Sequence, residues 1–387
     1  MSDPKPDPIY VTRPSLPPLD EFVESLREIW DNRLLTNNGP FHQRFEAALA
    51  EYLGVPYVSL FCNGTMALQV GLQALEISGE IITPPYSFPA TTHAIHWNHC
   101  TPVFCDIEPD TCNLDPAKIE ALITPKTTCL LPVHVYGSPC DANGIRKVAS
   151  RHGLKVLYDA AHAFGVKLSG ESILNFGDLS MLSFHATKVF NTIEGGALVT
   201  DDPDMKRRID HLKNFGFAGE TSVVAPGTNG KMNELQAAYG LLQLKTIDAE
   251  IAERRRLDAS YREMLTGIPG IQLLPQPPKV TPNGAYFPIF VDESAYGCAR
   301  DELHETLKAK GYFGRRYFYP LISSFAEYCD LPSAAPARLP EAVAVSERVL
   351  CLPMYSDLPA ATVTEIAEVV RQVARAVVPA AVDGAAL

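Results

Sequence analysis

Between residues 80 and 158 the sequence alternates two hydrophobic periods. Short apolar runs at 81–83, 102–106, 128–133 and 155–158 are separated by helical patterns at 90–99, 116–122 and 141–152. Parallel strands need a long crossover between them, usually a helix, so this spacing predicts βαβ units and a parallel sheet. The expected fold class is α/β, a mainly parallel central sheet flanked by helices, with a smaller C-terminal α/β part. Open parallel sheets place their ligands at the carboxyl ends of the strands, so the residues at those ends are where function is to be sought.

Three strand ends carry chemistry. The run LKVLYDAAHAFG (154–165) is a short apolar strand closed by Asp159, with His162 three residues on. In GDLSMLSFHATKVFNTIEGGALVT (177–200), an alternating apolar run exits into Ser183, His185, Thr187 and Lys188, and Gly195-Gly196 opens a further strand. A lysine among cationic and polar groups loses its proton readily, as a Schiff-base lysine must. Upstream, the strand at 58–61 ends in Asn63-Gly64-Thr65, which opens a helical run at 66–75. Unsatisfied N–H groups and the helix dipole at such a start form an anion site. Taken singly, these features also fit a solvated loop lysine and an ordinary capped helix.

Along the chain, NGTMAL, PPYSFPAT, DAAHAFG, SFHATK and GTNGKMNELQAA resemble the DegT family of sugar aminotransferases, a branch of the fold-type I pyridoxal-phosphate (PLP) enzymes. The likeness runs from about residue 34 to 353. It implies PLP as cofactor, with Lys188 as Schiff-base lysine and proton shuttle and Asp159 keeping the ring nitrogen protonated. Gly64, Thr65 and Ser183 then bind the phosphate, and Phe88 stacks on the ring. His162, where many relatives carry glutamine, faces the phenolate oxygen. Asn229 reaches the phosphate of a neighbouring subunit, so a homodimer shares its active sites. Arg315 and Arg316, beside Tyr319, are the candidates for the sugar nucleotide, with Lys231 of the neighbour as a rival. LTNNGPFHQ, VFNTIEGG and RRYFYPL resemble the enzymes that aminate a dTDP-linked 4-keto-6-deoxyhexose at C4. L-glutamate is the implied donor, and dTDP-4-amino-4,6-dideoxyglucose and 2-oxoglutarate are the implied products. A C3-aminating relative is the alternative. A dehydratase branch replaces the lysine by histidine, against which Lys188 stands, and a non-enzymatic sensor on this fold should have lost Asp159 or Lys188.

Composition narrows the partners. A formal charge of −12 and a pI near 5.3 argue against a nucleic-acid or anionic-membrane surface, so any phosphate site must be local. Nine cysteines without a CxxC pair, after an N-terminus lacking an apolar signal run, fit reduced thiols in a cytoplasm. No run approaches the roughly 18 apolar residues of a membrane helix. His93, His96 and His99 share a helix face but lack a convincing further ligand, and no metal is expected. Residues 1–250 should form a large PLP-binding domain and 251–387 a small C-terminal one. The proline-rich segment 1–20 should be an extended arm packed across another surface, 232–265 one long helix, and 379–387 a fraying tail.

Overall fold

A computed structural model describes residues 7–377; the expected tail at 379–387 and the first six residues of the arm lie outside them. The central sheet has seven strands in the order Tyr57–Phe61, Gly196–Thr200, Leu179–Ser183, Lys155–Asp159, Thr127–Leu130, Glu80–Thr83, Thr101–Phe104. All neighbouring pairs are parallel except those made by Gly196–Thr200, which runs antiparallel to both its partners. The crossovers read from the sequence are the helices Pro89–Trp97 and Ala142–His152, with a short helix at Pro116–Ile119. Strands in the middle of the sheet are almost wholly buried, as near-continuous apolar runs require when helices cover both faces.

Asp159 is the last residue of its strand and lies opposite Met181 of the next. Ser183 ends that neighbouring strand and lies opposite Gly196. Gly196 also faces Phe61, the last residue of Tyr57–Phe61, after which Gly64–Ala74 begins. Segments more than a hundred residues apart in sequence thus end side by side.

The C-terminal part contains a three-stranded antiparallel sheet, Ile271–Leu273, Phe287–Val291 and Val349–Leu352, covered by Arg300–Ala309 and Ala360–Val377. Part of it has its own core around Tyr261, Phe287, Leu350 and Ile366. Phe318, Ile322 and Cys351 instead join the core that holds Phe45, Tyr86 and Phe184, so no solvent layer separates the two parts.

The expected single helix over 232–265 is two, Glu234–Leu244 and Ile247–Leu265. The first must press Gly240 against Phe45, where a Cβ would stand 2.5 Å from the ring. The second begins with Ile247 and Ile251 in the same core and carries Leu257, Tyr261 and Leu265 into the C-terminal one. Residues 7–18 of the arm are extended, and a helix, Leu19–Asn32, begins two residues before the expected end. Ile9–Tyr10 pairs with Tyr312–Phe313 of the same chain, and the Ser15 carbonyl accepts from Asn191, Tyr239 and Gln243.

Candidate active site

A cavity of about 520 Å³ opens at the carboxyl ends of the central strands. Its floor is Asp159, which is 4% exposed. One carboxylate oxygen accepts from the Thr91 hydroxyl at 2.7 Å and the other from the Ala161 N–H at 3.1 Å. The Thr91 hydroxyl also meets Ser87 at 2.7 Å. Burial pushes the Asp159 pKa up, while the two donors and the charge of Lys188 pull it down. A cation brought against this carboxylate from the cavity would be held strongly, because little water competes for it.

Lys188 stands on a turn tied back to its strand, its N–H donating to the His185 carbonyl at 2.9 Å. His185 and Thr187 close that turn through Nδ1 and Oγ1 at 2.8 Å. Burial lowers the Lys188 pKa to about 8, the Arg315 charge adds to this, and Asp159 opposes it. Near neutral pH a useful fraction of this amine is therefore unprotonated, as nucleophilic or base chemistry needs.

On one side lies the start of Gly64–Ala74. Asn63 caps it, its Oδ1 accepting from the Met66 N–H at 2.8 Å. The first-turn N–H groups of Gly64 and Thr65 have no acceptor within the helix, and both residues line the cavity. A side chain is excluded on one wall of this cradle and crowded on the other. A Cβ at Gly196 would meet the Gly64 nitrogen at 2.7 Å, and one at Gly64 would meet the Ser183 Cβ at 3.1 Å. The close strand-to-helix approach leaves room for a tetrahedral anion bound by backbone N–H groups and Ser183.

Phe88, half exposed at the cap of Pro89–Trp97, supplies an aromatic side to the cavity. His162 lines it too; burial and the charge of Lys188 hold its pKa well below the ordinary value, so the ring is neutral. Arg315 enters from the C-terminal part on a segment bonded to Cys351 at 3.0 and 2.8 Å, its guanidinium 4.5 Å above the Tyr317 ring. Among the described residues Arg315 has no carboxylate partner, which leaves its fork free for an anionic ligand.

The structure therefore brings together Lys188, Asp159, Gly64, Thr65, Ser183, Phe88, His162 and Arg315. It does not bring Arg316 and Tyr319 there. The chain turns here, the Tyr317 and Tyr319 N–H groups donating to the Arg315 and Arg316 carbonyls, and Arg316 is drawn outward to Asp301 at 3.1 Å, its guanidinium over the Tyr319 ring. Tyr317 and Phe318 line the cavity instead. Asn229 and Lys231 also lie apart from their own chain's cavity lining. They belong to a strap in which Asn229 bridges to Asn214, and the Lys231 amine donates to Asn214 at 2.8 Å. Thr91, which holds Asp159, and Tyr286 and Glu194 on the cavity were missed; only Thr91 left a signal, as it closes the PPYSFPAT motif. His93 bonds the Tyr328 hydroxyl at 2.7 Å.

A model of the DegT/DnrJ/EryC1/StrS aminotransferase family matches residues 19–371. The chain is 51% identical over 351 residues to the dTDP-4-amino-4,6-dideoxy-D-glucose transaminase of Escherichia coli, covering 90% of this chain and 94% of that one. It is 49% identical over 367 residues to the enzyme of the same name from Shigella dysenteriae, covering 95% and 99%. A crystal structure of DesI in the presence of its TDP-sugar product superposes with a TM-score of 0.91 at 39% identity, over 95% of this chain and 93% of that one.

Proposed function

The chain belongs to the DegT/DnrJ/EryC1/StrS aminotransferase family, and from that premise we propose that it aminates C4 of a dTDP-linked 4-keto-6-deoxyhexose. L-glutamate is the donor, and dTDP-4-amino-4,6-dideoxyglucose and 2-oxoglutarate are the products. The transaminases to which it is about half identical carry that name, and the C3-aminating alternative is not favoured. The observation that carries the reading is a single cavity holding a lysine of lowered pKa, a buried carboxylate and a glycine-lined helix start.

PLP is the cofactor of the family's aminotransferases, and the residues present fit it. Gly64, Thr65 and Ser183 would hold its phosphate, Phe88 would cover its ring, and Asp159 would keep a proton on its ring nitrogen. When bound it supplies the electron sink that lets a Cα proton leave. The chain's own part is to aim and to move protons. Lys188, partly unprotonated near neutral pH, would be the residue that holds the cofactor covalently and, when free, the base that moves the proton. Asp159 cannot swing away, because Thr91 and Ala161 grip one oxygen each. Arg315 receives the pyrophosphate, a role expected of both arginines and kept here for the one that faces the cavity.

A homodimer completes this reading. Asn229 and Lys231 serve the partner's cavity, supported by their position on a strap apart from their own. Exposed Trp97, Phe215, Val223 and Val224 offer an apolar surface for the contact. The cytoplasm is the proposed compartment: all nine cysteines are free, and no helix among the described residues is long and apolar enough to cross a membrane.

The test at the root is covalent. Borohydride reduction of the PLP-loaded protein should fix the cofactor to one peptide, the one containing Lys188. Lys188→Ala should form no reducible adduct and transaminate no dTDP-keto-sugar; retention of both properties would remove Lys188 from the mechanism.

A further inference from the structure

Tyr136 adopts φ 56° and ψ 13°, a left-handed conformation uncommon for a tyrosine. Gly137 follows at φ 83°, with no space for a Cβ: the His162 carbonyl would stand 2.8 Å from it. This turn aims the Tyr136 N–H at His162, whose Nδ1 accepts it at 3.2 Å in a buried setting. The His162 backbone is pinned as well, its carbonyl accepting from Asn283 Nδ2 at 2.8 Å. Its ring lies parallel to Phe318 at 5.9 Å and tilted against Tyr286 at 4.8 Å, so it cannot flip to exchange its nitrogens without disturbing both.

A nitrogen that accepts from a backbone N–H carries no proton of its own. We infer that the Tyr136 N–H locks His162 as its Nε2–H tautomer, making it a permanent neutral donor into the cavity and excluding it from proton transfer. No protein group among the described residues accepts from Nε2, which leaves that N–H for the cavity's occupant. The ionisable groups that share the cavity with the ring are Lys188, Asp159, Arg315, His185, Glu194, Tyr286 and Tyr317, and Tyr136 meets the ring from outside that lining. The nearest cation, Lys188, opposes a second proton on the ring, in line with the direction of its pKa. The inference deepens the cofactor-site reading, in which the acceptor is the phenolate oxygen of PLP, and it rests on that reading for the acceptor's identity only.

The tautomer is testable on the full-length protein with and without PLP. Long-range ¹H–¹⁵N correlation of histidine-labelled protein separates the Nε2–H tautomer, the Nδ1–H tautomer and the imidazolium, and His162→Gln identifies the signal. The Nε2–H pattern should persist, without titrating, from about pH 8 down to about pH 5.5, well below the ordinary histidine midpoint. A proton on Nδ1, or an imidazolium within that range, overturns the inference even if PLP binds normally. Failure to bind PLP would sink the cofactor reading and leave the tautomer result intact.

Two variants separate donation from mere packing. In the loaded enzyme, His162→Ala should move the pH midpoint of the cofactor's visible absorbance upward by about one to two units. That is the size of one lost hydrogen bond to a charged oxygen, which becomes more basic without its donor. His162→Gln keeps an N–H donor and should reverse most of that shift; no difference between the two variants contradicts a donor role. Gly137→Ala, which displaces the turn, should let the Nδ1–H form appear in the spectrum. A single Nε2–H tautomer in a folded Gly137→Ala protein would show that the turn does not select it.

Discussion

At the scale of residues, the site works by setting one amine against its surroundings. Lys188 has a pKa lowered to about 8 by burial first and Arg315 second, with Asp159 working against both. Only the unprotonated amine attacks an aldehyde, so the rate of PLP capture by cofactor-free protein should rise with pH and level off above about 8. Arg315→Ala removes a cation that disfavours the protonated amine, so the midpoint should move upward. Stopped-flow absorbance across a pH series checks both; a midpoint near the ordinary lysine value in wild type would contradict the lowered pKa. Arg315 should also separate from its neighbour in steady-state kinetics. One charge-assisted hydrogen bond to pyrophosphate contributes about 1.5–3 kcal/mol, so Arg315→Ala should raise the KM for the dTDP-sugar about 10- to 150-fold. Arg316 is tied to Asp301 at the surface, and its loss should change KM by no more than about fivefold. Equal effects of the two substitutions would mean that the segment turns over when the nucleotide binds.

At the scale of elements, the site depends on a strand and a helix start coming closer than side chains permit. Gly196 stands between Ser183 and Phe61 in the sheet and directly against the Gly64 nitrogen. A methyl group there must push Gly196–Thr200 away from the cradle, and overpacking of this kind costs about 1–3 kcal/mol. Gly196→Ala should therefore weaken PLP binding by about tenfold or more and lower Tm with and without cofactor. Gly219, with open space around its Cβ position, is the control, and Gly219→Ala should leave both properties unchanged. If alanine at 196 binds PLP as tightly as glycine, the close approach is not what holds the phosphate.

At the scale of the whole molecule, the proposed dimer would add a second chain's residues to a cavity assembled from distant segments of one chain. Mixing inactive Lys188→Ala subunits with inactive Asn229→Ala subunits should give heterodimers with one intact site, and measurable activity should return. Mixtures that stay inactive after verified subunit exchange would place Asn229 in the service of its own chain or of no site at all. Much of this was legible in the sequence. The alternation of periods required βαβ units, and Asp159, Gly64 and Lys188 drew notice because each stands at or shortly after the end of an apolar strand, where local pattern and chemistry coincide. That Arg316 and Tyr319 lie off the cavity while Tyr317 lines it was not legible. Nor was the break between Leu244 and Ile247. For the arginines the deciding partners are remote in sequence: Asp301 draws Arg316 outward and Cys351 fixes the Arg315 backbone. Periodicity and motif are properties of neighbours along the chain and determine which elements form. Which side of an element meets the cavity is set by long-range packing, and only the tertiary structure decides it.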